Sequence, residues 1–489
     1  MGVSLYTSRV VLNTLGIEDF GIYSVVVGVI SLLGFFNSAM LSASQRFLAI
    51  DIGKEDWRNL HKTFNSALII HVAIAVLVLL IAETVGFWFL NHKLNLPGSR
   101  MGVANFVYQF SIFTAMAKIL QVPFTALIVV RERMGVFALI SIIEAILNLL
   151  VVYLLCLFPY DKLTTYAILL FIPSLFIVMV YKVYCLQNFK ETTFSLYKDT
   201  SLYKTLISYS GWSLFGNVAA VAKGQGINIL LNLFFGTIVN AAYGIMMQVQ
   251  NAVNSFVLNF QMAVNPQIFK NYAQGSTLQM QKLMFQSSKF SYFLMFVLIC
   301  PVIFNINFIL TWWLKNPPPY TGVFVNLTLI NLLIECISGP LITGSLATGK
   351  IKWYQIVVGT TLFLNLPVSY WVFRASNEPS FFLYVAIVFS LITLVLRLAF
   401  LKKMLDLDIV LFLKSVIFPT QLATITSVCI LYVLNSVIEK PNNFLNCMEV
   451  CICITIMNIM TVFILGFDKT ERSWGYNLIS NKLGRKKFF

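Results

Sequence analysis

The chain has 489 residues, 58% of them hydrophobic and 11% charged, with a formal net charge of +15 and a mean hydropathy of +0.83. Soluble domains carry about 25% charged residues, so this composition excludes a water-soluble fold. Repeated apolar runs of about 20 residues require membrane-spanning helices, because hydrocarbon offers no partner to unpaired backbone groups; the period-two alternation of a membrane β-barrel is absent.

In chain order the apolar runs predict fourteen segments, at 2–15, 21–43, 64–89, 103–130, 135–158, 163–186, 206–235, 238–264, 290–314, 322–348, 353–373, 381–401, 415–437 and 444–467. The first is short for a span at about 1.5 Å per residue. All connections are short, and the longest lie at 186–205 and 266–289. The expected fold class is an all-α polytopic membrane protein. Its expected parts are a six-helix lobe over 1–190, a linker over 191–204 and a second six-helix lobe over 205–405. A helix pair over 406–467 and a basic tail over 468–489 follow. No A-x-A site follows the amphipathic start around Arg9, so no cleavable leader is expected.

A faint internal repeat relates the two lobes. Gly16, Tyr23, Phe36 and Ala43 match Gly236, Tyr243, Phe256 and Ala263 at one offset; after a two-residue slip, Gln45, Phe47 and Gly53 match Gln267, Phe269 and Gly275. Duplicated halves with a substrate path between them are a transporter feature. Six helices per half gives both halves the same orientation. With a cytoplasmic amino terminus, the connections and tail on the inner side hold twenty-four lysines and arginines. The opposite side holds six: Lys93, Arg100, Lys162, Lys315, Arg374 and Lys440. That asymmetry sets topology, with both termini cytoplasmic, and makes nucleic-acid binding an unnecessary explanation of the charge. The tail over 481–489 serves as an orientation anchor or touches anionic lipid, so membrane lipid is an expected partner.

Catalytic and cofactor motifs are missing. There is no phosphate-binding G-x-x-x-x-G-K-[ST] and no H-E-x-x-H, and the glycines around Lys223 lie within a helix with no strand before them. His61, His71 and His92 are scattered, and the eight cysteines sit mostly in apolar runs, so neither a metal nor a cofactor is expected.

Polar residues at membrane depth are costly and therefore informative. On helix eight, Gln248, Asn251, Ser255 and Asn259 follow a three-four-four spacing that places them on one face. Amides and hydroxyls both donate and accept, as sugar hydroxyls do. The same groups also hold membrane helices together, but their density favours a water-filled cavity. Helix seven adds serines, asparagines and four glycines around Lys223, which suit either a hinge or close packing.

Arg9, Lys118, Lys223 and Arg397 fall within predicted spans. Arg397 is near enough to the cytoplasmic end to snorkel. Lys118 and Lys223 lie roughly 20 Å from the ends of their segments, too deep to snorkel easily. Arg9 and Lys223 read as contacts for an anionic head group; Lys118 suits either that role or an ion pair. Glu144 and Glu335 are the deepest acids and the candidates for proton or cation coupling. Pro123, Pro173, Pro301, Pro340 and Pro367 are candidate kinks.

The runs SLYTSRVVLNTLGIEDFGIYSVVVGV, SASQRFLAIDIGKED and VNPQIFKNYAQG resemble the polysaccharide-export branch of the MATE-like (MOP) flippase superfamily, nearest to Wzx-type O-antigen and capsule flippases. The resemblance covers nearly the whole chain and is specific for the superfamily, not for the glycan. It implies two six-helix lobes plus a terminal pair, working by alternating access in the bacterial inner membrane. It implies translocation of undecaprenyl-pyrophosphate-linked oligosaccharide for lipopolysaccharide, capsule or exopolysaccharide. A polysaccharide polymerase and chain-length machinery would then be its partners. It places helices one, two, seven and eight around the cavity, with Arg9 and Arg46 carried over on the TSRVVLNTLG and ASQRF runs and Lys223 on its place in helix seven. One departure is that members of that family begin with a longer first helix, so this one reads as truncated.

Two rivals remain. A cation-coupled multidrug or metabolite antiporter on the same scaffold would favour an acidic cavity, whereas the deep charges here are mixed. A membrane polymerase or glycosyltransferase would need catalytic groups on sizeable outer loops, and the longest, 90–102, carries no acid. The expectation is therefore a transporter and not an enzyme.

Overall fold

The computed structural model describes residues 35–92, 98–158, 161–197, 199–315, 317–434 and 443–473, together with scattered positions among the first thirty. Every described element is helical. They are α1 (Phe35–Gly53), α2 (Trp57–His92), α3 (Gly98–Val130), α4 (Met134–Leu157), α5 (Lys162–Asn188) and α6 (Thr200–Ala273). Then follow α7 (Thr277–Phe304), α8 (Ile306–Leu314), α9 (Thr321–Ala347), α10 (Lys352–Ala375), α11 (Phe381–Leu405), α12 (Ile409–Val433) and α13 (Phe444–Gly466). Among the described residues, 10 helices are long and apolar enough to cross a membrane. Their outward faces are greasy: Ile142, Ile146, Leu150, Tyr153 and Leu157 of α4 repeat at helical spacing and are all exposed. Water would penalise such a stripe and lipid accepts it.

The chain forms two compact units, 1–218 with 269–275, and 219–268 with 276–489. In the first, Val11, Leu15, Ile22, Val26 and Ile30 pack with Leu90, Val107, Tyr108, Ile112 and Leu155 into one apolar core. Tyr108 enters this core from α3 and donates its hydroxyl to the Ala82 carbonyl at 2.7 Å. The recipient stretch of α2, Ala82–Gly86, widens into a π-turn, as helices do where a side chain intrudes on the backbone ladder. A Cβ on Gly86 would sit 2.1 Å from that hydroxyl oxygen, so the position needs glycine.

At one end of the first unit, Arg100 forks between Asp19 and Asp161. The opposite end fastens the stretch after α5. Arg131 donates to Glu191 with its guanidinium 4.8 Å from the Trp57 ring and 5.6 Å from the Phe189 ring. Asn65, fully buried, donates to the Thr193 carbonyl at 3.1 Å and accepts from the Ser195 amide at 3.0 Å. His61 bridges Tyr197 and Thr193. The early part of the predicted linker is thus laid against the first unit rather than hanging free.

α6 is helical over 74 residues, a length of about 110 Å if straight. It is not straight. Tyr243 donates to the Gly224 carbonyl at 3.0 Å and Asn240 to the Asn228 side chain at 3.2 Å. A straight helix would hold Asn228 and Asn240 about 18 Å apart. The pairings are centred near residue 234, so α6 is two antiparallel limbs, which matches the predicted helices over 206–235 and 238–264.

The sequence reading differs from the structure at the predicted connection 266–289. Helix continues to Ala273 and restarts at Thr277, leaving a tight turn through Gly275 with φ +71°. Hydropathy marks where lipid ends, and these helices run on beyond it as amphipathic extensions. The repeat partner Gly53 likewise closes α1, and a Cβ there would lie 2.9 Å from the Lys270 carbonyl oxygen. In the second unit α9 packs between α7 and α11, with α10 on α11 and α13 on α7. A buried Lys289–Glu471 pair, 2.6 Å, fastens the segment after α13 to α7.

Candidate functional site

The second limb of α6 has two unlike faces. Its inner face buries Ala242, Tyr243, Met246, Val257 and Gln261. Gln261 is spent on packing: its amide donates to Ser291 Oγ and to the Cys336 carbonyl, both at 3.0 Å. Asn265 accepts from Thr343 at 2.9 Å. The predicted stripe lies elsewhere. Gln248, Asn251 and Asn259 are exposed and Ser255 is half-buried. The amides of this helix therefore divide into a set that holds the bundle together and a set turned away from it.

Lys223 is the sole charged residue between Leu206 and Phe269. It sits on the first limb, and the Tyr243–Gly224 bond sets its level beside the second limb; the stripe begins about one turn beyond. Its ammonium lies 3.8 Å from Glu335 of α9. The same Glu335 oxygen accepts from Asn331 Nδ2 at 3.0 Å and from Ser390 Oγ of α11 at 3.4 Å. Lysine, glutamate, asparagine and serine from three elements thus converge at membrane depth. Phe373–Phe382 and Tyr354–Phe400 contacts set α10 antiparallel to α11. That register puts Asn365 at the level of Ser390. Asn365 and Ser369 are fully buried, and their side-chain polar atoms have no hydrogen-bond partner.

The other predicted residues are dispersed. Arg46 is buried, its guanidinium 4.7 Å from the Phe47 ring and 4.8 Å from the Tyr209 ring. Its planar cation thereby packs on aromatic faces. Lys118 is exposed on α3, and Glu144 is half-buried on α4, close enough to Tyr181 to interact electrostatically. Arg9 and the tail beyond residue 473 lie outside the described residues. Within the second unit the structure joins Lys223 to Glu335. The sequence reading missed Asn331 and Ser390. Asn331 was findable, four residues before Glu335 on the same helix face; Ser390 carried no signal, because its contact is made 55 residues away.

No group of metal-ligating side chains occurs among the described residues. Two of the histidines serve locally: His71 contacts the Ala67 carbonyl and His92 the Trp88 carbonyl. An apolar cavity of about 850 Å³ lies between α7, α9, α11 and α12, lined by Phe296, Ile303, Ile334, Leu391 and Tyr432 among others.

No protein-family model matches the chain, and no curated protein matches it in sequence. Solved structures do. The Vibrio cholerae MATE transporter VcmN superposes with a TM-score of 0.71 at 15% identity, covering 82% of this chain and 93% of that one. The MATE transporter ClbM, solved with Rb⁺, gives 0.67 at 16% identity, covering 84% and 94%. A MOP superfamily transporter from Pyrococcus furiosus, whose binding pocket is described as of reverse polarity, gives 0.69 at 10% identity, covering 83% and 93%. The protein has the MATE-like fold of the MOP superfamily transporters.

Proposed function

We propose that this protein is a flippase of the bacterial inner membrane. It moves undecaprenyl-pyrophosphate-linked oligosaccharide to the outer leaflet by alternating access, for O-antigen, capsule or exopolysaccharide synthesis. The observation that carries this reading is the exposed amide and hydroxyl stripe Gln248, Asn251, Ser255 and Asn259. Residues 238–265 hold no charge at all. Neutral groups that both donate and accept suit a sugar chain, whereas a cationic drug favours carboxylates. Lys223, one turn from the stripe, supplies a cation for the pyrophosphate; Arg9, Arg46 and Lys118 are further contacts along its route, and Glu144 and Glu335 are the coupling acids. The prenyl tail remains in lipid.

A second reading, a cation-coupled antiporter, draws on Glu335, a carboxylate 38% exposed and hydrogen-bonded by the neutral side chains of Asn331 and Ser390. The neighbour from Pyrococcus furiosus shares this fold, and its reversed pocket polarity is described as suggesting a different function.

The test substitutes the stripe. Asn251→Leu with Asn259→Leu is expected to abolish surface glycan while the protein inserts at normal levels. An equal loss of inserted protein and glycan would mean that the stripe is packing. Drug susceptibility raised in the same variant, with glycan unchanged, would favour the antiporter.

A further inference from the structure

We infer that Lys223 and Glu335 form an exchangeable pair, in which Glu335 is the resting counter-ion of Lys223 and a phosphoryl anion displaces it. The inference rests on the flippase reading and names the device by which that site admits its cargo.

Three observations support it. First, the pair is loose. Lys223 and Glu335 stand 3.8 Å apart, beyond hydrogen-bond contact, while the other ion pairs among the described residues are in direct contact. The Lys289–Glu471 pair, for comparison, is 2.6 Å apart with side chains 6% and 5% exposed. Second, the pair is accessible, with side chains 19% and 38% exposed, and Lys223 lies on the limb next to the exposed stripe. Third, Glu335 has somewhere to remain. Asn331 and Ser390 both donate to the oxygen nearest Lys223. These neutral donors hold the carboxylate when the ammonium turns away, which a carboxylate held by its lysine alone would lack.

A lone lysine at this depth would need a counter-charge before any cargo arrived. Glu335 provides one without occupying the ammonium's hydrogen-bonding positions. A phosphoryl oxygen can make the charge-assisted hydrogen bond that Glu335 at 3.8 Å does not. The exchange therefore replaces a weak partner by a stronger one and breaks no direct bond to Lys223.

The experiment measures binding to the full-length protein in detergent by titration calorimetry, with farnesyl pyrophosphate, inorganic pyrophosphate and farnesol as probes. Glu335→Gln removes the competing charge and keeps the shape, so the pyrophosphate probe binds about three- to tenfold tighter. Lys223→Gln binds it at least about tenfold more weakly, and the double variant behaves as Lys223→Gln. A merely structural pair would instead weaken binding from either side. Tightening confined to farnesyl pyrophosphate assigns a lipid-linked head group. Equal tightening for inorganic pyrophosphate assigns phosphoryl anions in general, and both outcomes support the exchange. Unchanged or weaker binding in Glu335→Gln, with the wild type binding normally, overturns the exchange and leaves the flippase reading intact. Binding of neither anion by wild type or Glu335→Gln overturns both. If Glu335→Gln does not fold, Ser390→Ala serves: losing one neutral donor lets Glu335 hold Lys223 more firmly, so affinity falls about threefold, and unchanged affinity contradicts the exchange.

Discussion

Gly339→Ala is expected to destabilise the second unit through one side chain, Gln261. A Cβ built on Gly339 would stand 2.1 Å from Gln261 Oε1 and 2.5 Å from both Cδ and Nε2. A flexible side chain would ordinarily swing aside at little cost. Gln261 cannot, because its amide is held at 3.0 Å by both Ser291 and the Cys336 carbonyl in a buried setting. Moving it breaks two hydrogen bonds and leaves buried polar atoms without partners, at about 1–3 kcal/mol; overpacking costs a similar amount. Gln261→Ala alone loses the same bonds but opens the space that the new methyl group needs. Gly339→Ala should therefore cost much less in the Gln261→Ala background, a coupling of about 1–2 kcal/mol. Thermal unfolding of the four proteins in one detergent measures this. Additive losses would refute the reasoning and place the strain of Gly339→Ala elsewhere. Gln261 also fixes the buried face of the limb that turns Asn251 and Asn259 outward.

Two further perturbations follow from the ends of the helices. Glu471→Gln strands Lys289 in a site where its side chain is 6% exposed, so it should cost about 3–5 kcal/mol, while replacing both residues by methionine should recover most of the loss in the same melt. Burial pushes the Asp51 carboxyl up to about 6 despite the hydroxyl hydrogen bond from Thr63. Its folded value thus exceeds its unfolded one, so its stabilisation is complete below about pH 4 and is lost as pH rises through about 6. Melting at pH 5 should exceed melting at pH 7.5 by the equivalent of about 1–2 kcal/mol from this group, and Asp51→Asn should flatten that difference.

The spans were legible because lipid imposes a long, simple signal: ten of the apolar runs reappear as helices able to cross a membrane. Helix length beyond the bilayer was not. Thr277–Lys289 is polar enough to pass for a loop, yet it continues α7 because its helical face still packs on the second unit. The reversal within α6 was legible from its Phe-Phe-Gly-Thr break, although the backbone stays helical through it. At the site, the stripe was readable from spacing on one helix. The Lys223–Glu335 pairing was not, because sequence offers no distance between residues 112 positions apart. The aromatic cage of Arg46 was hidden for the same reason, since Tyr209 reaches it only in the folded unit.

The most direct test of the flippase reading is a lipid extract from cells lacking this gene, analysed by mass spectrometry beside their surface glycan. The reading predicts accumulated prenyl-pyrophosphate oligosaccharide and a bare surface. The wild-type gene should reverse both, and Asn251→Leu with Asn259→Leu should not. An unchanged lipid pool and a normal surface, in cells with no second flippase, would contradict it.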